Sequence, residues 1–286
     1  MIDAERRAAL EAVAAEIRAC RRCRLNEGRT RAVPGEGHPA TEVVFVGEAP
    51  GLNEDRSGRP FVGRAGDLLV ELLATIGWRR DEVFITNIVK CRPPDNRDPA
   101  PDEIAACLPY LRRQLQALDP SLVVTLGRYS LARFMPGATI TRAHGTIRPA
   151  EPSSGAPSAL VLATYHPAAA LRAPAIEAVT RADVRLIPRA LEEARARRSA
   201  AEGAVPAAGS PATGPGEEAS AAAGAGPAEA APPGTEPVLD TAAEAPASPV
   251  TALQPADEPS PDTAAEVLPP LPPPADEPAA DQLTLF

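Results

Sequence analysis

Short apolar runs punctuate the first two thirds of the chain, at residues 43–46, 83–89, 122–126 and 160–164. Runs of this length, closed by Gly, Pro or polar residues, predict strands buried on both faces of a parallel sheet. Between them the apolar positions repeat every three or four residues. Leu10, Val13 and Ile17 predict a helix capped by Asp3 and ending near residue 19. Leu68, Leu69, Leu72 and Leu73 predict another over 65–76, stopped by Gly77. Pro101 or Asp102 opens a third that runs to Leu118, and a short helix follows at 129–134. A long helix with Arg and Glu faces closes the pattern near Arg198. Residues 139–147 are expected to be extended, and the proline-rich stretch 92–99 to be irregular. Strands that alternate with helices give an α/β class, here a single three-layer α/β/α domain over 1–198 with a mostly parallel central sheet.

Beyond Ser199 the pattern stops. Residues 199–281 are dominated by Ala, Pro, Gly, Glu, Ser and Thr, too little apolar surface to offset chain entropy, so a disordered linker is predicted. Charge divides at the same place. All 29 Lys and Arg precede Ser199, as do 24 of the 38 Asp and Glu, which leaves the domain at +5 and the remainder at −14. An acidic chain therefore carries a basic domain, compatible with a polyanionic partner. No apolar run reaches membrane-spanning length and the first twenty residues hold charges throughout, so the expectation is a cytoplasmic protein with no membrane partner. The domain is expected to act as a monomer.

Chemistry concentrates where strands end. The first run leads into Gly47-Glu48-Ala49-Pro50-Gly51, a forced turn at the carboxyl end of a strand, where open α/β sheets hold ligands. Glu48 is delivered there, with Glu54 and Asp55 close behind, and Phe61 lies in a segment expected to be too polar for core. The four cysteines form one tight pair, Cys20 and Cys23, and two spread positions, Cys91 and Cys107. A zinc ribbon needs two tight pairs; an iron–sulfur cluster tolerates spread ligands; buried structural thiols need no spacing at all. That every cysteine enters one set favours the cluster.

In order along the chain stand GEAPG at 47–51, RPFVG at 59–63, TNIVKCRPPDNR at 86–97, TLGRYS at 125–130, HGT at 144–146 and YHPAAAL at 165–171. With the four cysteines these resemble the family 4 uracil-DNA glycosylases, the iron–sulfur type, over about residues 15–195. The resemblance implies the uracil-DNA glycosylase fold, excision of uracil from DNA, and a [4Fe-4S] cluster on Cys20, Cys23, Cys91 and Cys107. It implies that Phe61 stacks on a flipped base, that the Asn87 amide reads the pyrimidine edge, and that His166 donates to the uracil O2. Glu48 and Glu54 become the candidate acids beside the sugar. Where family 1 enzymes carry a catalytic Asp and a thymine-excluding Tyr, this chain has Ala49 and Gly51, which leaves the water-activating group and the means of rejecting thymine open. Arg92, Arg97 and Arg172 are candidate phosphate contacts, and Leu171 a candidate wedge in the vacated stack. His144 is read as structural or as a phosphate contact. The one lysine, Lys90, adjoins a presumed cluster ligand, which argues against amine-based strand cleavage.

The terminal Gln282-Leu283-Thr284-Leu285-Phe286 resembles the bacterial sliding-clamp-binding peptide, in which Leu285 and Phe286 fill an apolar pocket and Gln282 anchors. Two other readings compete with the enzyme. One is a non-catalytic iron–sulfur DNA-binding adaptor tethered to the clamp; the other is a zinc-stabilised hydrolase of another nucleotide substrate. The joint presence of Glu48, Phe61, Asn87 and His166 speaks against the adaptor, and a brown purified protein would eliminate the zinc enzyme.

Overall fold

The computed structural model describes residues 2–203. The elements, in chain order, are α1 (Ile2–Ala19), α2 (Leu25–Gly28), β1 (Glu36–Gly37), β2 (Val43–Gly47), α3 (Leu52–Ser57), α4 (Arg64–Ala74) and β3 (Phe84–Asn87). They continue with α5 (Pro101–Leu118), β4 (Leu122–Leu126), α6 (Arg128–Phe134), α7 (Ile140–Ala143), β5 (Ile147–Pro149), β6 (Leu160–Thr164), α8 (Pro167–Ala170), α9 (Pro174–Val184) and α10 (Ile187–Gly203).

The strands form one sheet ordered β1-β3-β2-β4-β6-β5. The inner four run parallel, with Val46 opposite both Thr86 and Thr125, while β1 and β5 close the edges antiparallel. Because successive side chains in a strand point to opposite faces, each buried strand feeds two cores. Val44, Val46, Phe84, Val123 and Val161 pack with α1 and α5 through Val13, Ile17, Leu111 and Leu115. Val43, Phe45, Ile85, Val124 and Leu162 pack with α4 and α10 through Leu69, Leu72, Ile187 and Leu191. The result is the expected three-layer α/β/α arrangement.

The chain passes from β2 to β3 on one side, then to β4 on the other. The connections leaving β2 and β4 therefore diverge and open a crevice at their carboxyl ends.

The departures from expectation have local causes. Residues 139–147 are not one extended run: Thr139 precedes the α7 turn, and only β5 is a strand. The long closing helix is two, α9 and α10, broken at Arg185 and Leu186. The second of them continues to Gly203, five residues past Arg198. Within the proline-rich stretch, Pro94–Asn96 makes one 3-10 turn with Asp95 at φ 53°. Phe61 is buried, 6% exposed, and belongs to the α4 core cluster rather than to the surface. Among the described residues, no helix is long and apolar enough to cross a membrane. Gln282, Leu283, Leu285 and Phe286, and nearly all of the predicted linker, lie outside the described residues.

Candidate active site

The four parallel strands and their loops deliver the site. Asn87 is the last residue of β3, paired with Gly47 at the end of β2. Gly47 has no Cβ because there is no room for one: it would overlap Asn87 Oδ1 and sit 2.7 Å from Phe61 Cζ. Gly127, at φ +90° after β4, likewise packs against His166, whose Cβ would stand 3.0 Å from an added methyl. Phe61 and His166 stack, ring centroids 5.5 Å apart and planes 28° from parallel. Three residues read from separate motifs thus meet at one end of the sheet.

Asn87 is 1% exposed, and its Oδ1 is buried with no hydrogen-bond partner. Leaving a buried acceptor unpaired costs about 1–3 kcal/mol. An acceptor–donor amide held in this state suits a ligand that supplies the missing N–H and takes one in return.

The His166 ring accepts a hydrogen bond from Ala168 N at Nδ1, 3.1 Å, as the cap of α8. Nε2 therefore carries the proton of the neutral ring. Burial holds the ring well below its ordinary 6.5, at about 4; the nearby Glu54 carboxylate pulls the other way, and Arg172 adds a smaller downward push. The site thus has a neutral imidazole with one N–H free to donate.

Glu54 is engaged by the loops around it. Its Oε1 accepts from Val62 N (2.9 Å) and Gly63 N (3.1 Å), and its Oε2 from Gly51 N (3.1 Å). One carboxylate thereby ties the loop after β2 to the loop that carries Phe61. The strain this loop stores is local: Phe61 sits at φ +50°, and Gly66 packs so tightly on its carbonyl that a Cβ there would clash.

Glu48 is the freer acid. Its carboxyl is pushed above its ordinary 4.5, first by burial and next by Asp98, while Arg128 opposes. Asp98 and Arg128 pair with each other. Ala49 packs against the α1–α5 core.

The basic candidates separate. Arg97 is committed to Glu103, its two nitrogens donating to Oε2 (2.8 Å) and Oε1 (2.6 Å). Glu103 is fully enclosed and also accepts from Arg24 Nε (2.8 Å) and Ala100 N (2.8 Å). Those donors hold its carboxyl at about 2, the Arg97 bond foremost. Arg97 is therefore a structural tie of the 92–99 loop, with its side chain 39% exposed. Arg92 leans on Asn96 Oδ1 at 2.8 Å. Leu171 and Arg172 follow α8 on the surface, and Leu171 is one of three exposed large hydrophobics among the described residues, at 37%.

His144 is bound inward: its Nδ1 meets Asp183 Oδ1 at 3.3 Å, and its ring tilts on Tyr165 at 5.2 Å. Asp183 also accepts from Thr164 Oγ1 at 3.1 Å, and burial raises its carboxyl. Sequence reasoning missed Asp183 and Glu103. For Glu103 a signal existed, since it is the third residue of a helix opened by Pro101, the position that returns to cap the first turn. Asp183 lies 39 residues from His144 with no local cue.

Cys20, Cys23, Cys91 and Cys107 line one cavity with Ile17, Arg29, Lys90 and Tyr110. All four are free, and none forms a disulfide. Burial raises the thiols of Cys23 and Cys91, and that of Cys107 to about 11. Two donors nonetheless point at sulfur: Arg29 Nη1 at Cys91 Sγ (3.0 Å) and Lys90 N at Cys107 Sγ (3.3 Å). Among the described residues, no three Cys, His, Asp or Glu side chains close on one point. Four thiols around one cavity are a donor set that an iron–sulfur group or a zinc ion takes.

Comparison with known proteins agrees with this geometry. The Uracil DNA glycosylase superfamily model matches residues 34–185. A Type-4 uracil-DNA glycosylase of Sulfurisphaera tokodaii is 47% identical over 184 residues, covering 62% of this chain and 83% of the relative. The Type-4 uracil-DNA glycosylase of Archaeoglobus fulgidus is 46% identical over 184 residues, 62% of this chain and 91% of its own. That of Thermotoga maritima is 45% identical over 165 residues, 57% and 83%. The family-model match ends at residue 185, before the acidic remainder of the chain begins. With its motifs gathered at the carboxyl edge of one parallel sheet, this chain belongs to the uracil-DNA glycosylase superfamily, among the type-4 enzymes.

Proposed function

We propose that the protein removes uracil from DNA by hydrolysing the N-glycosidic bond of a flipped-out deoxyuridine and leaves an abasic site. The observation that carries this reading is the buried, unpartnered Asn87 Oδ1 beside the Phe61–His166 stack. Uracil offers an N3–H to that oxygen and an O4 to the same amide's N–H. The base must leave the helix to reach such a pocket. As the bond breaks, negative charge gathers on the uracil and positive charge on the sugar. His166, neutral and with its Nδ1 occupied, donates from Nε2 to O2, stabilisation of the oxyanion type. Glu48, half-buried and free of the loop bonds that engage Glu54, faces the sugar cation or orients water. Phe61 packs on the ring, Ala49 leaves space beside it, and Glu54 acts through Phe61 as a positioning residue. Leu171 enters the vacated stack, with Arg172 and Arg92 on the phosphates.

Cleavage stops at the abasic site because the only lysine is unavailable. Lys90 is 1% exposed and its ammonium donates to three acceptors, so the lysine amine does not reach the sugar to form a Schiff base. Cys20, Cys23, Cys91 and Cys107 would hold a [4Fe-4S] cluster that ties α1, α5 and the end of β3 together, a structural contribution. The terminal Gln282, Leu283, Leu285 and Phe286 would dock on a sliding clamp.

An oligonucleotide carrying one deoxyuridine, treated with the protein and then with alkali, tests the reading. Scission that requires alkali and collapses in His166→Ala is the expected result. Intact oligonucleotide from iron-loaded wild-type protein would replace it with the adaptor reading.

A further inference from the structure

Lys90 is the only lysine in 286 residues and is among the largest fully buried side chains. A buried ammonium is costly unless every proton finds an acceptor. All three do here: Nζ donates to Thr86 Oγ1 (2.6 Å), to the Asn87 carbonyl (2.7 Å) and to Gln114 Oε1 (2.7 Å). The main chain of the same residue is engaged as well. Its N–H donates to Cys107 Sγ at 3.3 Å, and its carbonyl accepts from Val33 N at 2.8 Å.

The placement of these contacts is informative. β3 ends at Asn87, and beyond it only Ile88 N and Val89 N still reach the β2 side, at Gly47 O and Glu48 O. The side chain of Lys90 reaches back three and four residues and closes the bend that leaves the strand. Thr86 and Gln114 both extend the web to the carbonyl of Pro34, at 3.0 and 2.7 Å. Asn87 therefore has its backbone clamped on one side by the lysine, while its amide stands without a partner for Oδ1 on the other. An amide with no protein bond at its acceptor keeps its aim only through its own backbone and packing.

We propose that Lys90 is a positioning residue for the glycosylase reaction: its ammonium fixes the Asn87 peptide, and through it the amide that reads the base, against the Cys91–Cys107 corner. The inference rests on the proposed function, since it gives a role to the reader of uracil. The cysteine corner and the base pocket are then two ends of one five-residue bend, and the lysine is the link between them. Its task is geometric, and no step of the reaction passes through its proton.

The test is a double-mutant cycle on full-length protein, with iron content, visible absorption and inhibition by free uracil measured beside single-turnover rates. Lys90→Met keeps the stem and removes the three donors. We expect it to retain its iron, to cut the single-turnover rate about 10–100-fold and to weaken free-uracil inhibition in step. Added to Asn87→Ala it should cost less than about threefold more, because the two act on one interaction. Thr86→Val, which touches no cysteine, should show the same non-additivity in smaller measure and be rescued by Thr86→Ser. Should Lys90→Met lose iron, the Thr86 cycle decides by the same criteria. Full rate in Lys90→Met, or losses that multiply with Asn87→Ala, would overturn the inference while leaving the wild-type glycosylase intact. An iron-loaded wild type that leaves deoxyuridine uncut would instead overturn the proposed function, and the inference with it.

Discussion

At the scale of single residues, burial shifts His166 and Glu48 alike toward their neutral forms. His166 is neutral far into acid, at about 4, and Glu48 takes up its proton above its ordinary 4.5. The two shifts make separable predictions. Between pH 8 and 5 the imidazole stays neutral, so His166 contributes no limb to the single-turnover profile. In the role proposed for it, the Glu48 carboxylate acts ionised. Its pKa is raised, so the rate is full above that raised value and falls as pH drops through it. In Glu48→Gln the acid limb should disappear along with most of the rate, leaving a flat residual. A profile that keeps the same limb in Glu48→Gln would assign the limb elsewhere. Removal of His166 by Ala should lower the rate about 10²–10³-fold, the usual loss for one donor to a developing oxyanion, with little change in DNA binding measured by anisotropy.

At the scale of elements, the question is how loops with few internal contacts hold such side chains still. Glu54 supplies three bonds that join the β2 loop to the Phe61 loop. Glu54→Gln retains acceptor capacity at one oxygen only, and Glu54→Ala at none, so the rate should fall in that order while folding persists by circular dichroism. Equal rates in the two variants would show that the charge near His166, and not the loop tie, is what matters. Glu103 performs a similar task for the 92–99 loop. Its carboxyl is held at about 2 against an ordinary 4.5, so its contribution is complete above about pH 4.5 and is lost as pH falls towards 2. Glu103→Ala should therefore lower the melting temperature at pH 7 and compress its acid dependence in that window. Much of this scaffold was legible in advance. The four inner strands are the four apolar runs, and α1, α4 and α5 follow the three-and-four repeat, because burial on one face leaves a periodic trace. Asn87 and His166 were legible as strand-end residues in distinctive motifs. What escaped was set by distance: the burial of Phe61 among Arg, Gly and Pro, the capture of Arg97 by Glu103, and the His144–Asp183 pair all depend on partners that no local pattern announces. The break at Arg185 and Leu186 did have a local signal, Pro188 at the second position of α10, where proline suits a helix's first turn and not its interior.

At the scale of the whole molecule, the chain divides its charge between a basic domain and an acidic remainder that ends in Leu-Thr-Leu-Phe. A basic domain binds DNA through released counterions, and its affinity falls with salt. Acid in the same chain would offset that attraction wherever it approached the DNA face. If the remainder serves only to carry the terminal peptide, its effects should appear when a clamp is present and vanish when it is not. Changing Leu285 and Phe286 together to Ala should leave uracil removal from a short free oligonucleotide within about twofold, and abolish capture by immobilised sliding clamp. On a primed circular template loaded with clamp, the same variant should lose its rate advantage over naked template, because tethering raises local concentration without any new contact in the active site. A variant that is slowed equally on free oligonucleotide would place the terminal peptide on the catalytic domain itself. Equal capture of both proteins would remove the clamp as its partner.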